Sequence, residues 1–120
     1  MNTFSLGDDP QMAEELLDLV LKGKKTATSW ATVHGELGTS IGSKHIITDS
    51  KDTPKVLIET TALIKFKFSE VRPDIAKEEG EGDLSTEYWE REHERYFRNE
   101  GTFSADMEVY CQKFKVIKIL

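Results

Sequence analysis

The chain has 120 residues, of which 38% are hydrophobic and 32% charged, and its formal net charge at pH 7 is −6. This length and composition predict one folded domain over residues 1–120 with a core of its own. The negative charge argues against a general nucleic-acid binder, because such proteins neutralise phosphates with Lys and Arg.

The chain also lacks sequence signals for membranes and disulfides. No run approaches the roughly 18 apolar residues of a membrane span, and Met1–Asp9 does not resemble a signal peptide. The single cysteine, Cys111, cannot form an internal disulfide. We therefore expect a cytoplasmic protein without membrane contact, whose oligomeric state the sequence leaves open.

The first predicted element is a helix over Pro10–Lys22. Asp9 is a residue type that caps helices, Pro10 suits the first helical position, and Gly23 is a typical helix stop. Apolar residues at helical spacing are expected to pack this helix on a sheet through Leu16, Leu17 and Val20.

Four extended segments are rich in β-branched residues. They are predicted over Lys25–Val33, His45–Asp49, Lys55–Phe66 and Met107–Ile119. In the last segment the apolar positions change phase after Cys111, which predicts a β-bulge or burial on both faces. We interpret Cys111 itself as a small core residue.

Two further helices are predicted over Pro73–Glu79 and from Asp83 or Ser85 to about Asn99. The second helix carries aromatic residues and a histidine near one face, which we interpret as packing residues: Trp89, His93, Tyr96 and Phe97. Because strands and helices do not alternate as βαβ units, the pattern predicts an α+β protein whose strands curl into a small barrel.

The segment Gly23–Thr28 reads Gly-Lys-Lys-Thr-Ala-Thr. Its lysine and hydroxyl groups are donors suited to an anion or a carbonyl oxygen. It is not a P-loop, because it follows a helix and lacks the first glycine. The alternative is a solvated helix end, where lysines interact favourably with the helix dipole. Both interpretations stay open on spacing alone.

The segment Glu78–Asp83 combines four carboxylates with two glycines. Carboxylates can bind a hard cation, but this spacing does not match an EF-hand loop, and the alternative is a flexible acidic turn. The three histidines are not at metal-ligand spacing with one another or with Cys111. We therefore predict no metal and no cofactor.

Several segments, in order over nearly the whole chain, resemble the ASCH family. They are Phe4–Asp8, Ala13–Thr28, Ile58–Thr61, Phe68–Val71 and Glu79–Asp83, followed by Tyr88, Trp89 and His93. The resemblance implies a PUA-like fold, a small β-barrel flanked by helices that is similar to RNA-binding domains. It also implies that the partner is RNA or a modified nucleoside.

One short bacterial branch of that family hydrolyses N4-acetylcytidine to cytidine and acetate. Matched to its Gly-basic-Lys-Thr-x-Thr motif and later glutamate, the catalytic residues are Lys25, Thr28 and Glu79. In this hypothesis Thr28 is the nucleophile, Lys25 is its base if the cleft lowers its pKa, and Glu79 orients Lys25 or shuttles the proton to the leaving amine. Residues three apart in a regular strand point to opposite faces, so Lys25 and Thr28 share a site only across a turn or bulge.

Ligand contacts are expected at Gly23, Lys24, Thr26, Ser29 and Trp30. Ser29 and Trp30 replace an apolar-Arg pair of the short branch, and Lys24 is expected beside Lys25 at the ligand entrance. Two alternatives to hydrolysis remain. One is a non-catalytic RNA- or nucleotide-binding module, and the other is a ribonuclease that uses a divalent cation at the acidic turn.

Overall fold

The computed structural model describes residues 2–120. Its strands are β1 (Asn2–Phe4), β2 (Ala27–Ala31), β3 (Lys44–Thr48), β4 (Pro54–Lys67) and β5 (Glu108–Ile119). Its α-helices are α1 (Pro10–Leu21), α2 (Pro73–Glu79) and α3 (Thr86–Glu100). All the predicted helices and strands are present with small shifts of their ends. Strand β1 is the addition, because three residues are too few for a sequence pattern.

The five strands form one mixed sheet in the order β1-β3-β4-β5-β2. Strand β1 runs parallel to β3, and the other neighbouring strands are antiparallel. The sheet curls into a half-barrel flanked by the three helices, which confirms the α+β, PUA-like prediction. Strands β1 and β2 are therefore the two free edges of the curled sheet.

Helix α1 begins as its sequence predicts. The Asp9 side chain accepts a hydrogen bond from the Met12 backbone N–H at 2.8 Å, and Pro10 occupies the first turn. Leu17 and Val20 are buried, and Leu16 is partly buried against the same core. They pack on apolar residues of β3, β4 and β5, namely Ile47, Val56, Ile58 and Phe114. The predicted contact of this helix with the sheet is confirmed.

A second core lies between the sheet and helices α2 and α3. It includes Ala27, Ala31, Phe68, Ile75, Ala76, Trp89, Phe97, Val109 and Cys111. Cys111 is fully buried, and burial raises the pKa of its thiol to about 12. The interpretation of Cys111 as a core residue is confirmed, and a thiol with this pKa is a poor nucleophile.

The phase change in β5 has the structural basis that the pattern predicted. Thr60 pairs with Phe114 and Ala62 pairs with Lys113, so the extra residue, Thr61, lies in β4. Cys111 and Gln112 follow one another and are both buried, although consecutive strand residues point to opposite faces. Cys111 joins the core under α2 and α3, whereas Gln112 lines a cavity on the other side.

Candidate functional site

A cavity of about 750 Å³ lies where the half-barrel does not close. Residues of both edge strands line it, Asn2–Gly7 from β1 and its following loop and Thr28–Trp30 from β2. Residues from the rest of the fold complete the lining: Met12, Leu16, Lys25, Leu37, Gly38, Thr39, His45, Glu79, Glu81, Glu92, His93, Arg95, Tyr96 and Gln112. Small-molecule sites in proteins commonly have volumes of about 300–1,000 Å³.

Lys25 is buried at the base of this cavity, with 1% of its side chain exposed. Its Nζ lies 3.0 Å from Glu81 Oε2, 3.4 Å from Glu79 Oε1 and 3.3 Å from the Glu79 backbone oxygen. Burial by itself lowers the pKa of Lys25, but the charges of Glu81 and Glu79 outweigh burial and raise it. Lys25 is therefore an ammonium group in this structure.

Glu79 is the last residue of α2 and is also buried. Its carboxylate receives Ser29 Oγ at 2.7 Å and Trp89 Nε1 at 2.5 Å, besides the ion pairs with Lys25 and with His93 Nε2 at 3.3 Å. Burial raises the pKa of Glu79, but His93 and Lys25 more than compensate and lower it. One carboxylate thus joins α2, α3 and β2.

His93 is held as a cation by its two neighbours. Its Nδ1 is 2.8 Å from the Trp89 backbone oxygen and its Nε2 is 3.3 Å from Glu79 Oε1. Both partners are acceptors, so both ring nitrogens must carry protons to satisfy them. Burial alone lowers the pKa of His93, but the charge of Glu79 raises it overall.

The turn after α2 lies unusually close to the segment before β2. The Thr26 backbone N–H donates to the Glu78 oxygen at 2.7 Å, and Gly80 follows with a φ of +75°. A Cβ added at Gly80 would lie 2.2 Å from the Lys24 backbone oxygen. Glycine is therefore required here both by the left-handed backbone and by the close approach. This contact brings Lys25 and Glu79 together.

The acidic turn thus supplies counter-ions to the buried cations. Two cations, Lys25 and His93, face two carboxylates, Glu79 and Glu81, so the charges at the base of the cavity balance. Among residues 2–120 no group of three or more His, Cys, Asp or Glu side chains is placed to hold a metal ion.

The structure divides the predicted site residues into two groups. Lys25, Thr28, Ser29, Trp30 and Glu79 line the cavity together. Lys25 lies two residues before Ala27, the first residue of β2. The alternation of side chains between the two faces of a regular strand therefore does not separate Lys25 from Thr28.

The other predicted contacts lie outside the lining of the cavity. They are Gly23, Lys24 and Thr26. The Lys24 side chain is exposed, and the Thr26 backbone is used to join β2 to α2.

Sequence reasoning missed the polar roles of Glu81, His93, His45 and Gln112. His93 does pack against Trp89, as predicted, but it also pairs with Glu79. The local pattern does not indicate that Gln112 lines a cavity, because a polar residue between Cys111 and Lys113 is typical of the solvent-facing side of a strand. Only the curl of the sheet turns it towards the cavity.

The family model described as the ASCH domain matches residues 2–118, and the chain belongs to this family. A search of curated proteins found no match. Among solved structures, a protein of Enterococcus faecalis V583 superposes with a TM-score of 0.88 at 29% identity, covering 99% of this chain and 77% of that one.

Two further solved structures share the fold. The ASCH domain from Lactobacillus crispatus JV V101 has a TM-score of 0.81 at 29% identity and covers 96% of this chain and 79% of its own. The ASCH protein of Zymomonas mobilis has a TM-score of 0.65 at 10% identity, with 98% and 71% covered, and therefore supports the fold alone. No helix within residues 2–120 is long and apolar enough to cross a membrane.

Proposed function

We propose that this ASCH protein binds a single nucleoside, either free or displayed by RNA, in the cavity between β1 and β2. The observation that carries the proposal is the composition of the cavity. Its volume of about 750 Å³ combines an aromatic side chain, Trp30, with the buried polar groups of Lys25 and Glu79 and the partly buried ring of His93. Recognition of single nucleotides commonly combines stacking on an aromatic ring with hydrogen bonds to the base edge.

Trp30 is the stacking platform in this proposal. Its Nε1 donates to the Gly35 backbone oxygen at 2.8 Å, and its ring lies 5.8 Å from that of Tyr110 on the neighbouring strand. These contacts restrain the ring before any ligand arrives. A restrained platform loses little conformational entropy on binding.

The charge balance favours an uncharged base over a phosphate as the group that enters most deeply. The Lys25 ammonium is already neutralised by Glu79 and Glu81, and Lys24 lies outside the lining. Arg95, at the cavity, is paired with Asp8 and with Glu92 at 3.7 Å. A phosphate would have to compete with these carboxylates.

Calorimetric titration with the four common ribonucleosides, N4-acetylcytidine and the 5′-phosphates tests this proposal. We expect at least one nucleoside to bind, with little gain from the phosphate. Stacking on an aromatic ring is worth about 1–3 kcal/mol per base, so Trp30→Ala should weaken binding about tenfold or more. Trp30→Phe, which keeps a ring, should retain most of the affinity. Absence of binding, or unchanged affinity in Trp30→Ala, would refute the proposal.

A second candidate function is hydrolysis of an N4-acylated cytidine in the same cavity. The observation that favours it is that Lys25, Thr28 and Glu79 all line this cavity, with Lys25 and Glu79 in a buried ion pair. Thr28 supplies a hydroxyl nucleophile. Glu79 acts as a positioning residue, because its carboxylate contacts Lys25, Ser29, Trp89 and His93 and holds the Lys25 ammonium in place.

The proton inventory constrains this reaction. Lys25 is protonated, so it must first lose a proton to solvent, although its ammonium form is stabilised by Glu81, whose Oε2 is 3.0 Å away. Neutral Lys25 then takes the Thr28 proton as Oγ bonds to the acyl carbon, and returns it to N4 as the C–N bond breaks. Water hydrolyses the acyl-threonine and releases the carboxylic acid. The raised pKa of Lys25 makes the first transfer uphill.

A panel of N4-acylcytidines incubated with wild type, Lys25→Ala, Thr28→Ala and Glu79→Gln tests hydrolysis. Residues that act as one unit are non-additive, so each single change should remove most of the rate and the Lys25/Thr28 double change should be little worse. Turnover that survives Thr28→Ala would exclude the threonine nucleophile. Nucleoside binding without any turnover by wild type would leave the binding module.

A further inference from the structure

A short segment on the open side of the half-barrel is tied to both of its free edges. Trp30 of β2 donates from Nε1 to the Gly35 backbone oxygen at 2.8 Å. Asn2 of β1 donates from Nδ2 to the Leu37 backbone oxygen at 3.0 Å. We refer to residues 35–38 as the strap. The two donors and Leu37 line the cavity, and both hydrogen bonds are exposed to solvent, so the strap lies at the outer rim of the cavity.

The two anchors of the strap differ from the contacts at the base of the cavity. Exposed side-chain hydrogen bonds open at a low cost in free energy. At the base, by contrast, Trp89 Nε1 donates to the buried Glu79 carboxylate. The Tyr110 ring lies beside Trp30 on the neighbouring strand and supports it whether or not the strap is attached. We therefore expect the strap to open while the base of the cavity and the Trp30 ring stay in place.

Leu37 is strained and exposed at the same time. Its φ is +53°, in the left-handed region that a leucine adopts rarely, because its Cβ approaches the following carbonyl oxygen there. Leu37 is 54% exposed, so packing does little to offset this strain. Strained residues of this kind cluster at active sites and ligand clamps. A ligand that covered the Leu37 side chain would supply the burial that the free protein lacks.

The position of Leu37 places it within reach of a ligand on Trp30. Gly35 contacts the Nε1 edge of the Trp30 indole, and Leu37 follows Gly35 by two residues. Two residues of extended chain span at most about 7 Å. The leucine side chain carries no hydrogen-bonding group, so it favours the apolar face of a base over a phosphate or a sugar hydroxyl.

We propose that Leu37 is a ligand-contacting residue of the nucleoside site, and that the strap closes it over a base that rests on Trp30. This inference rests on the proposed nucleoside site and adds the residue that closes its entrance. The strap opens by releasing Asn2 and the Trp30 N–H, the ligand enters, and closure packs Leu37 against it. Burial of the exposed Leu37 surface then contributes to affinity.

Calorimetric titration of Leu37→Asn with the four common ribonucleosides and N4-acetylcytidine tests the contact. Asparagine is close to leucine in size and tolerates a positive φ, so the change removes apolar surface without adding strain. Burial of half a leucine side chain predicts that binding weakens about 3- to 10-fold. Leu37→Met, which keeps an apolar side chain, should retain most of the affinity.

Leu84→Asn is the matched control. Leu84 also has a positive φ, +68°, and is 43% exposed, but it lies outside the lining of the cavity. Both asparagine variants should therefore unfold at or slightly above the wild-type temperature, whereas Leu84→Asn should bind nucleoside as wild type does. An unchanged affinity in Leu37→Asn, or an equal loss in Leu84→Asn, would overturn the assignment while the nucleoside site stands.

Hydrogen exchange of the two indole N–H groups, followed by NMR, tests the strap without any ligand. In the free protein the Trp30 N–H should exchange faster than the Trp89 N–H. Asn2→Ala removes the other anchor, so it should accelerate exchange at Trp30 and leave Trp89 unchanged. Equal protection of the two indoles, or no effect of Asn2→Ala on Trp30, would show that the strap does not open as a unit and would overturn the inference. If no nucleoside bound to wild type, the proposed function and this inference would both fail.

Discussion

The His93 ring stacks on the Trp89 indole, with ring centroids 4.0 Å apart and planes inclined by 13°. The two side chains lie one helical turn apart in α3, and both direct a ring N–H to Glu79, from His93 Nε2 and Trp89 Nε1. Stacking therefore aligns two donors on one carboxylate. Glu79 in turn holds Lys25 at the base of the cavity.

Glu79→Gln should destabilise the fold strongly. The neutral amide would leave the buried Lys25 and the partly buried His93, both cations, with Glu81 as their remaining counter-ion. Removing one partner of a buried ion pair typically costs about 3–5 kcal/mol. Urea denaturation at pH 7 measures the loss in the free energy of unfolding.

Glu94→Gln is the matched control for this change. Glu94 pairs with Arg98 at the surface of α3, and the side chains are 43% and 62% exposed. Surface pairs contribute about 0–1 kcal/mol, so this variant should unfold close to wild type. Equal effects of the two substitutions would contradict the counter-ion role of Glu79.

His93 should make stability depend on pH in a defined window. Its folded-state pKa is raised above the unfolded value of 6.5, so its contribution is fully present below pH 6.5 and is lost as pH rises through the folded pKa. The raised pKa of Lys25 changes the free energy of unfolding only above pH 10.5, and the lowered pKa of Glu79 changes it only below pH 4.5. The three windows therefore begin at different pH values, near 6.5 for His93, 10.5 for Lys25 and 4.5 for Glu79.

Urea denaturation of wild type and His93→Gln across this range measures the His93 contribution. The difference in unfolding free energy should be largest below pH 6.5 and should shrink as the pH rises above 6.5 through the folded-state pKa. Phe97 lies on the same face but does not titrate, so Phe97→Leu should cost a pH-independent amount. A wild type minus His93→Gln difference that grows with pH would show that His93 is buried neutral.

The fold was predictable from the sequence where its signals are local. Asp9 and Pro10 define the start of α1 by their own chemistry, and Ser85 accepts from the Tyr88 N–H at the start of α3. Their partners lie within a few residues, so periodicity and capping are sufficient. The phase of apolar residues around Cys111 predicted a bulge or burial on both faces, and the structure buries the consecutive β5 residues Cys111 and Gln112 near a bulge at Thr61 of β4.

The polar arrangement of the cavity was not predictable in this way. Lys25 and Glu79 are 54 residues apart, and Gln112 and Thr60 are 52 apart, so no local spacing relates them. The resemblance to a family indicated Lys25 and Glu79 as a pair. The protonation of Lys25 depends on Glu81, which enters only because Gly80 lets the turn approach the Lys24 backbone.

Gly80→Ala should therefore disrupt both the turn and the site. An added Cβ would lie 2.2 Å from the Lys24 backbone oxygen, in addition to the cost of a φ of +75°. Gly101 is a matched control, because it ends α3 with a φ of +83° and has no atom within 4 Å of an added Cβ. Gly101→Ala should cost about 1–2 kcal/mol from backbone strain alone, and Gly80→Ala clearly more.

Thermal denaturation of the two glycine variants measures this difference, and nucleoside titration shows whether the cavity survives. We expect Gly80→Ala to lose ligand affinity as well as stability, because its turn carries Glu81 and adjoins Glu79. Equal stability losses in the two variants would mean that the turn relaxes without moving Lys25.

If Lys25 is the base for Thr28, hydrolysis should accelerate steadily with pH. The pKa of Lys25 is raised above 10.5, so the neutral amine is a minor species throughout the neutral range. Its fraction grows about tenfold for each pH unit below the pKa, and kcat/KM should grow in parallel between about pH 6 and pH 9. Initial rates on N4-acetylcytidine measure this slope.

The background hydrolysis without enzyme, which also rises with pH, is subtracted, and the residual rate of Lys25→Ala should not show the additional slope. A carboxylate base would already be ionised over this range and would give a flat profile. A flat profile with wild-type turnover would therefore remove Lys25 as the base and leave it as a cation beside the acyl oxygen, with Glu81 as the nearest carboxylate able to activate water.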